Sequence, residues 1–183
     1  MATQHKSAAL PLALAYAALI VYASLYPFAD WRDQGIAPWA YLWAPWPKYW
    51  TGFDFAINVA GYVPFGFLCA LSVLRTRSTA SNGRAVLRAT LAGVAVSFAM
   101  ETLQSYLPVR IPSNVDLGLN SAGALLGAVL AVALERFGAV AHWGRVRAQW
   151  FGDDARGALV LLALWPFALL FPAVLPLMPR RGC

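Results

Sequence analysis

The chain has 183 residues, of which 60% are hydrophobic and only 12% charged, and its formal net charge is +6. With a mean hydropathy of +0.58, it carries more apolar surface than a globular domain of this length can bury, so a water-soluble fold is excluded and lipid is required. The basic balance does not point to nucleic acid, because lysine and arginine sit in short clusters between apolar blocks rather than along one soluble face.

The first apolar block covers about residues 8–28 and is preceded by His5 and Lys6. It is longer than the hydrophobic core of a signal peptide and lacks a small-x-small cleavage site, so it reads as a retained helix. Four further blocks follow, at about 55–74, 86–107, 117–137 and 158–178. Each is long enough to span a bilayer, which takes roughly 20 residues of helix. Backbone groups in hydrocarbon must be satisfied within the segment, so helices are expected, with Pro64, Pro166 and Pro172 bending rather than ending them.

The expected fold is therefore all-α, a polytopic transmembrane bundle of about five helices. It divides into a four-helix membrane domain over 8–137, a basic connection over 138–157, and a fifth helix with a short tail over 158–183. Cys69 lies inside an apolar block and Cys183 is the last residue, so no disulfide framework or metal motif is expected.

Arginine and lysine favour the cytoplasmic side of short loops. Lys6, Arg75, Arg77, Arg84, Arg88, Arg136, Arg145, Arg147 and Arg156 fall on one side, against Arg32, Lys48, Arg110, Arg180 and Arg181 on the other. This predicts a cytoplasmic amino terminus. The basic 138–157 connection reads as a topology determinant that could also touch anionic lipid. The first connection, about 29–54, then lies outside and carries Trp31, Trp39, Trp43, Trp46 and Trp50 among prolines. Tryptophan favours the headgroup region, so this segment is expected along the outer surface, as an anchor or as a lid over a site.

The polar residues inside the apolar blocks are Asn58, Glu101, Gln104, Asp116 and Asn120, with Arg110 in the third connection. Because alternate helices run in opposite directions, all six fall at one depth near the outer face. Glu101 and Gln104 are three apart, Asp116 and Asn120 four apart, so each pair shares a helix face. A carboxylate at membrane depth is costly unless it is paired or faces a wet cavity, which makes Glu101 a functional candidate. Structural roles compete with this reading. Glu101 and Arg110 could form an ion pair, Ser113, Asn114 or Asp116 could cap the fourth helix, and Asn58 and Asn120 could be interhelical glue. Gly123 and Gly127, with Ala124 and Ala128, form a close-packing face, and Gly61 and Gly66 flank Pro64 where a bend or close approach needs them. His5 and His142 are both expected on the cytoplasmic side, away from this layer, and no phosphate loop, dinucleotide fingerprint or zinc cluster is present.

The run Glu101-Thr-Leu-Gln104, Pro108-Val-Arg110, Asp116 and Asn120-Ser-Ala-Gly123-Ala-Leu-Leu-Gly127 resembles the E-x-x-Q, P-x-R, D-x-x-x-N and G-x-x-x-G sequence of the VanZ-like family, named for a protein associated with teicoplanin resistance. Asn58-Val-Ala-Gly-Tyr-Val-Pro64-Phe65-Gly66-Phe67 resembles its second-helix motif, and the likeness covers about residues 15–137. The resemblance implies a membrane protein linked to the cell envelope; a multi-pass place in the bacterial cell membrane is expected, and, with no cofactor motif in the sequence, no cofactor.

Three functions are compatible with these residues. In the first, Arg110, Gln104, Asn58 and Asn120 bind a lipid headgroup, glycopeptide or envelope precursor, Arg110 meeting a phosphate or carboxylate. In the second, an integral membrane enzyme acts on a lipid-linked or amphiphilic substrate, with Glu101 as general acid or base and Asp116 as its electrostatic partner. The third is a proton-coupled transporter, which no internal repeat supports and which would need oligomerisation through the weak Gly123–Gly127 surface. Expected partners are membrane lipid and a lipid-linked or glycopeptide ligand, not nucleic acid.

Overall fold

The computed structural model describes residues 7–46, 51–76, 81–139 and 142. Trp50, Arg77, most of the basic connection and the whole fifth block lie outside the described residues. The elements are α1 (Ala9–Leu25), a short 3-10 turn (Ala40–Trp43), α2 (Gly52–Thr76), α3 (Asn82–Gln104) and α4 (Asn114–Arg136). Each follows from its local sequence.

Helices α2, α3 and α4, at 23 to 25 residues, rise roughly 34–38 Å. That exceeds the roughly 30 Å of a hydrocarbon core, and all three are apolar enough to cross it. They begin three to four residues before the apolar blocks because polar caps start them. Thr51 and Asp54 form a capping box, the Thr51 hydroxyl accepting from the Asp54 amide at 3.2 Å and the Asp54 carboxylate from the Thr51 amide at 2.8 Å. Ser81 caps α3 through the Arg84 amide. Ser113 caps α4 through the amides of Val115 and Asp116, at 3.2 and 3.4 Å. Such a cap contributes about 1 kcal/mol.

Helix α1 is shorter than the apolar block that contains it, at 17 residues or about 25 Å. Its end is set by Pro27, because proline pushes the preceding residue out of the helical region. Tyr26 accordingly sits at φ −59°, ψ 135°. Pro64 has no such effect, and α2 runs through it. One turn before it, the Tyr16 hydroxyl of α1 donates to the Gly61 carbonyl at 3.1 Å, an additional partner where proline weakens the helix ladder.

Small residues make the interior. A Cβ added to Gly127 would strike the Val63 carbonyl oxygen and come within 2.8 Å of the Phe67 nitrogen. One added to Gly123 would strike the Val59 carbonyl oxygen, and one on Gly66 would meet the Ala124 backbone. Helices α2 and α4 thus touch backbone to backbone, as membrane helices do where small residues line the seam. The Gly123–Gly127 face is buried within the chain, so it is not the oligomerisation surface considered from sequence.

Although Ile20, Phe65, Met100 and Leu107 are buried among the helices, many large apolar side chains point the other way. Ile57, Leu87, Leu91, Phe98, Leu126 and Val129 are all exposed, the reverse of a soluble core. This is a polytopic membrane protein. At one end of the bundle Arg75 and Glu135 join α2 to α4 in an ion pair at 3.0 Å. The other end carries the polar layer.

Candidate functional site

The carboxy-terminal ends of α1 and α3 and the amino-terminal ends of α2 and α4 meet at that second end, as antiparallel tracing of the chain predicts. Asn58 of α2 donates to Asp116 Oδ1 of α4 at 3.0 Å. Glu101 of α3 accepts the Ser113 backbone amide at 2.8 Å, so its carboxylate holds the residue that caps α4. Glu101 is only 4% exposed. One helical turn deeper, Asn120 donates to the Ser97 hydroxyl at 3.0 Å. Asn58 and Tyr62, Ser97 and Glu101, Asp116 and Asn120 are each four apart, so three helices present stacked pairs to a common interior. Asn120 Oδ1 is buried there without a hydrogen-bond partner among the described residues, and Tyr62 is buried beside it. Asn58 and Asn120 do act as interhelical hydrogen-bond donors.

Two of the six residues expected at the site face elsewhere. Arg110 Nη2 donates to the carbonyls of Ala23, at 3.1 Å, and Tyr26, at 2.9 Å. Gln104 donates to the Ser24 carbonyl at 2.9 Å. The last four carbonyls of a helix lack intrahelical donors. Here Tyr22 receives the Tyr26 amide and Leu25 the Phe28 amide, while Gln104 and Arg110 supply Ser24 and Ala23. The Glu101–Arg110 ion pair considered from sequence does not form, because the guanidinium is committed to the end of α1. The ion pair found among the described residues is Arg75–Glu135.

The first connection forms a strap across this end. Gln34 donates to the Ser105 carbonyl at 2.7 Å, and Ser105 to the Pro38 carbonyl at 2.8 Å. The Arg32 amide reaches the Tyr106 carbonyl at 3.0 Å, and Asn114 donates to the Ala44 carbonyl at 2.8 Å. Buried Tyr41 lies 3.4 Å from the Thr102 hydroxyl. Burial pushes its phenol above the ordinary range, with the Thr102 hydrogen bond opposing and the Glu101 charge adding to the rise. Trp31, Trp39, Trp43 and Trp46 stay exposed, as interfacial anchors require. One segment therefore leaves its rings exposed and binds the loop between α3 and α4.

Beside the strap lies an open groove of about 420 Å³, lined by Trp46, Phe55, Asn114, Val115, Gly118 and Leu119. Among the described residues no three His, Cys, Asp or Glu side chains gather as a metal site. Sequence reasoning missed Ser97, Tyr62 and the strap contacts. The first two carry a signal, since each is four residues from a residue already singled out, whereas the strap is held mainly to backbone carbonyls that no motif marks.

A model of the VanZ/LLP1 family matches residues 4–135. No curated protein matches the chain, and no solved structure does.

Proposed function

The chain belongs to the VanZ/LLP1 family, and on that premise we propose that it is a bacterial cell-membrane protein that binds a lipid headgroup, glycopeptide or envelope precursor at the outer end of its bundle. The observation that carries this reading is the pair of acidic residues held at membrane depth without a cation. Asp116 is held by Asn58 and Glu101 by the Ser113 amide, and neither forms an ion pair among the described residues. Two acceptors positioned near the helix ends suit the hydroxyl, ammonium or amide donors of a polar headgroup. Arg110 and Gln104 serve this site by fixing α1 beside it rather than by meeting the ligand.

The test is binding of teicoplanin, and separately of vesicles containing phosphatidylethanolamine, whose ammonium is such a donor, to protein reconstituted in phosphatidylcholine nanodiscs. Asp116→Asn, which keeps the shape of the side chain, lowers affinity for the bound probe about tenfold, or 1.4 kcal/mol. Equal binding of both probes by wild type and variant overturns the reading.

A second reading draws on Glu101 alone. Buried and oriented through one oxygen, it has the fixed placement that a general acid or base needs. An enzyme of this kind loses turnover of a lipid-linked substrate in Glu101→Gln while still binding it. Full turnover by that variant excludes the enzyme.

A further inference from the structure

We propose that the groove beside the strap is a binding site for one acyl chain of a membrane phospholipid, distinct from the polar layer. Its walls are the rings of Trp46 and Phe55 and the aliphatic surface of Val115 and Leu119. Its floor opens at Gly118, where an added Cβ would meet nothing within 4 Å. The volume of about 420 Å³ lies within the range of roughly 300–1,000 Å³ found for small-molecule sites.

The occupant follows from what the groove adjoins and what it lacks. On α4, Gly118 leads by helical steps to Ala122, Leu126 and Val129, all exposed, so the groove is the upper end of a stripe that already faces lipid tails. Its polar side chain is Asn114, whose amide nitrogen is used by the carbonyls of Ala44 and Leu42, at 2.8 and 3.5 Å. A headgroup would be desolvated there with that nitrogen already engaged, which is unfavourable. A hydrocarbon chain asks for no hydrogen bond from the groove. The same Asn114 bonds hold the strap two residues before Trp46, so Asn114 positions one wall of the site.

The experiment uses protein in nanodiscs of phosphatidylethanolamine and phosphatidylglycerol doped with a phospholipid bearing a diazirine on its acyl chain, with adducts mapped by mass spectrometry. Adducts at Trp46 and Val115–Leu119 exceed those at Leu125–Leu130 about tenfold. Gly118→Leu fills the groove and removes that excess, while Val129→Phe, on the same stripe, leaves it intact. Should Gly118→Leu fold poorly, Gly118→Val makes the same test with less bulk. Asn114→Ala reduces the Trp46 adducts selectively. Adducts spread evenly along the stripe, or an excess untouched by filling Gly118, overturn the proposal. Its failure is separable from that of the polar-layer reading. Adducts lost with Gly118→Leu and unchanged by Asp116→Asn leave the chain site standing whatever the headgroup probes show.

Discussion

The Nη2 atom of Arg110 lies 3.1 Å from the carbonyl oxygen of Ala23, the helical carbonyl whose donor would be the amide of residue 27, a proline. A residue that has no N–H is thus matched by an arginine more than eighty positions away. The same guanidinium nitrogen takes the Tyr26 carbonyl at 2.9 Å, and its charge sits at the negative end of the α1 dipole. Arg110 and Gln104 together close the helix that Pro27 ends.

Arg110→Ala should therefore act first on α1. Hydrogen bonds to a charged group contribute about 1.5–3 kcal/mol each, whereas Gln104→Ala removes one neutral bond of about 1 kcal/mol. The expected result is a lower Tm in detergent for Arg110→Ala than for Gln104→Ala, with hydrogen exchange rising at residues 22–28 before the rest of the bundle. Arg110→Lys recovers only part of the loss, because the shorter lysine side chain does not carry its ammonium as far as Nη2 reaches. An unchanged Tm in Arg110→Ala would show that the cap carries no stability.

The positions of α2, α3 and α4 were legible because lipid-facing helices announce themselves by long apolar runs. The start of α4 was legible too, Ser113 being one of three cap candidates, but those of α2 and α3 were not, since Thr51 and Ser81 are polar and the runs begin after them. The common depth of Asn58, Glu101, Asp116 and Asn120 was legible from the alternation of helix direction alone. Partners were less so. Asn58 and Asp116 complement each other in side-chain chemistry, but Arg110, Gln104 and Glu101 bind backbone groups, and every residue supplies those equally. Only the proline at 27 hinted that a carbonyl on α1 would need an outside donor.

The contact between α2 and α4 predicts a sharp contrast among glycines. Gly127→Ala places a methyl group against the Val63 carbonyl, and backbone cannot move aside as a flexible side chain can. Overpacking of this kind costs about 1–3 kcal/mol or more. Gly61→Ala, where nothing lies within 4 Å, should be close to neutral. Thermal unfolding or the fraction surviving size-exclusion chromatography separates the two, and equal behaviour would mean that the helices are not in backbone contact.

Ser113 and Glu101 are coupled, because the carboxylate binds the amide of the residue whose hydroxyl caps α4. Ser113→Ala should cost about 1 kcal/mol, and Glu101→Gln should fold, since an amide oxygen still accepts the Ser113 N–H. Glu101→Ala removes the acceptor and leaves that amide buried, at about 1–3 kcal/mol. The expected outcome, measured as detergent Tm, is Glu101→Gln at least as stable as wild type, because it relieves an unpaired buried charge, and Glu101→Ala the least stable of the three. If Gln and Ala destabilise equally, the charge rather than the hydrogen bond is what the fold uses.

The direction of the bundle in the membrane decides where a ligand must come from. Ile111, 87% exposed between α3 and α4, and Phe137, 85% exposed just after α4, mark its two ends. In a background lacking Cys69 and Cys183, a single cysteine at 111 should react with an impermeant maleimide on intact cells, and one at 137 only after permeabilisation. The basic residues around α2–α3 and after α4 require this if the excess of arginine marks the cytoplasm. The opposite labelling pattern would place Glu101 and Asp116 at the inner face and make a cytoplasmic headgroup, not an external glycopeptide, the ligand to seek.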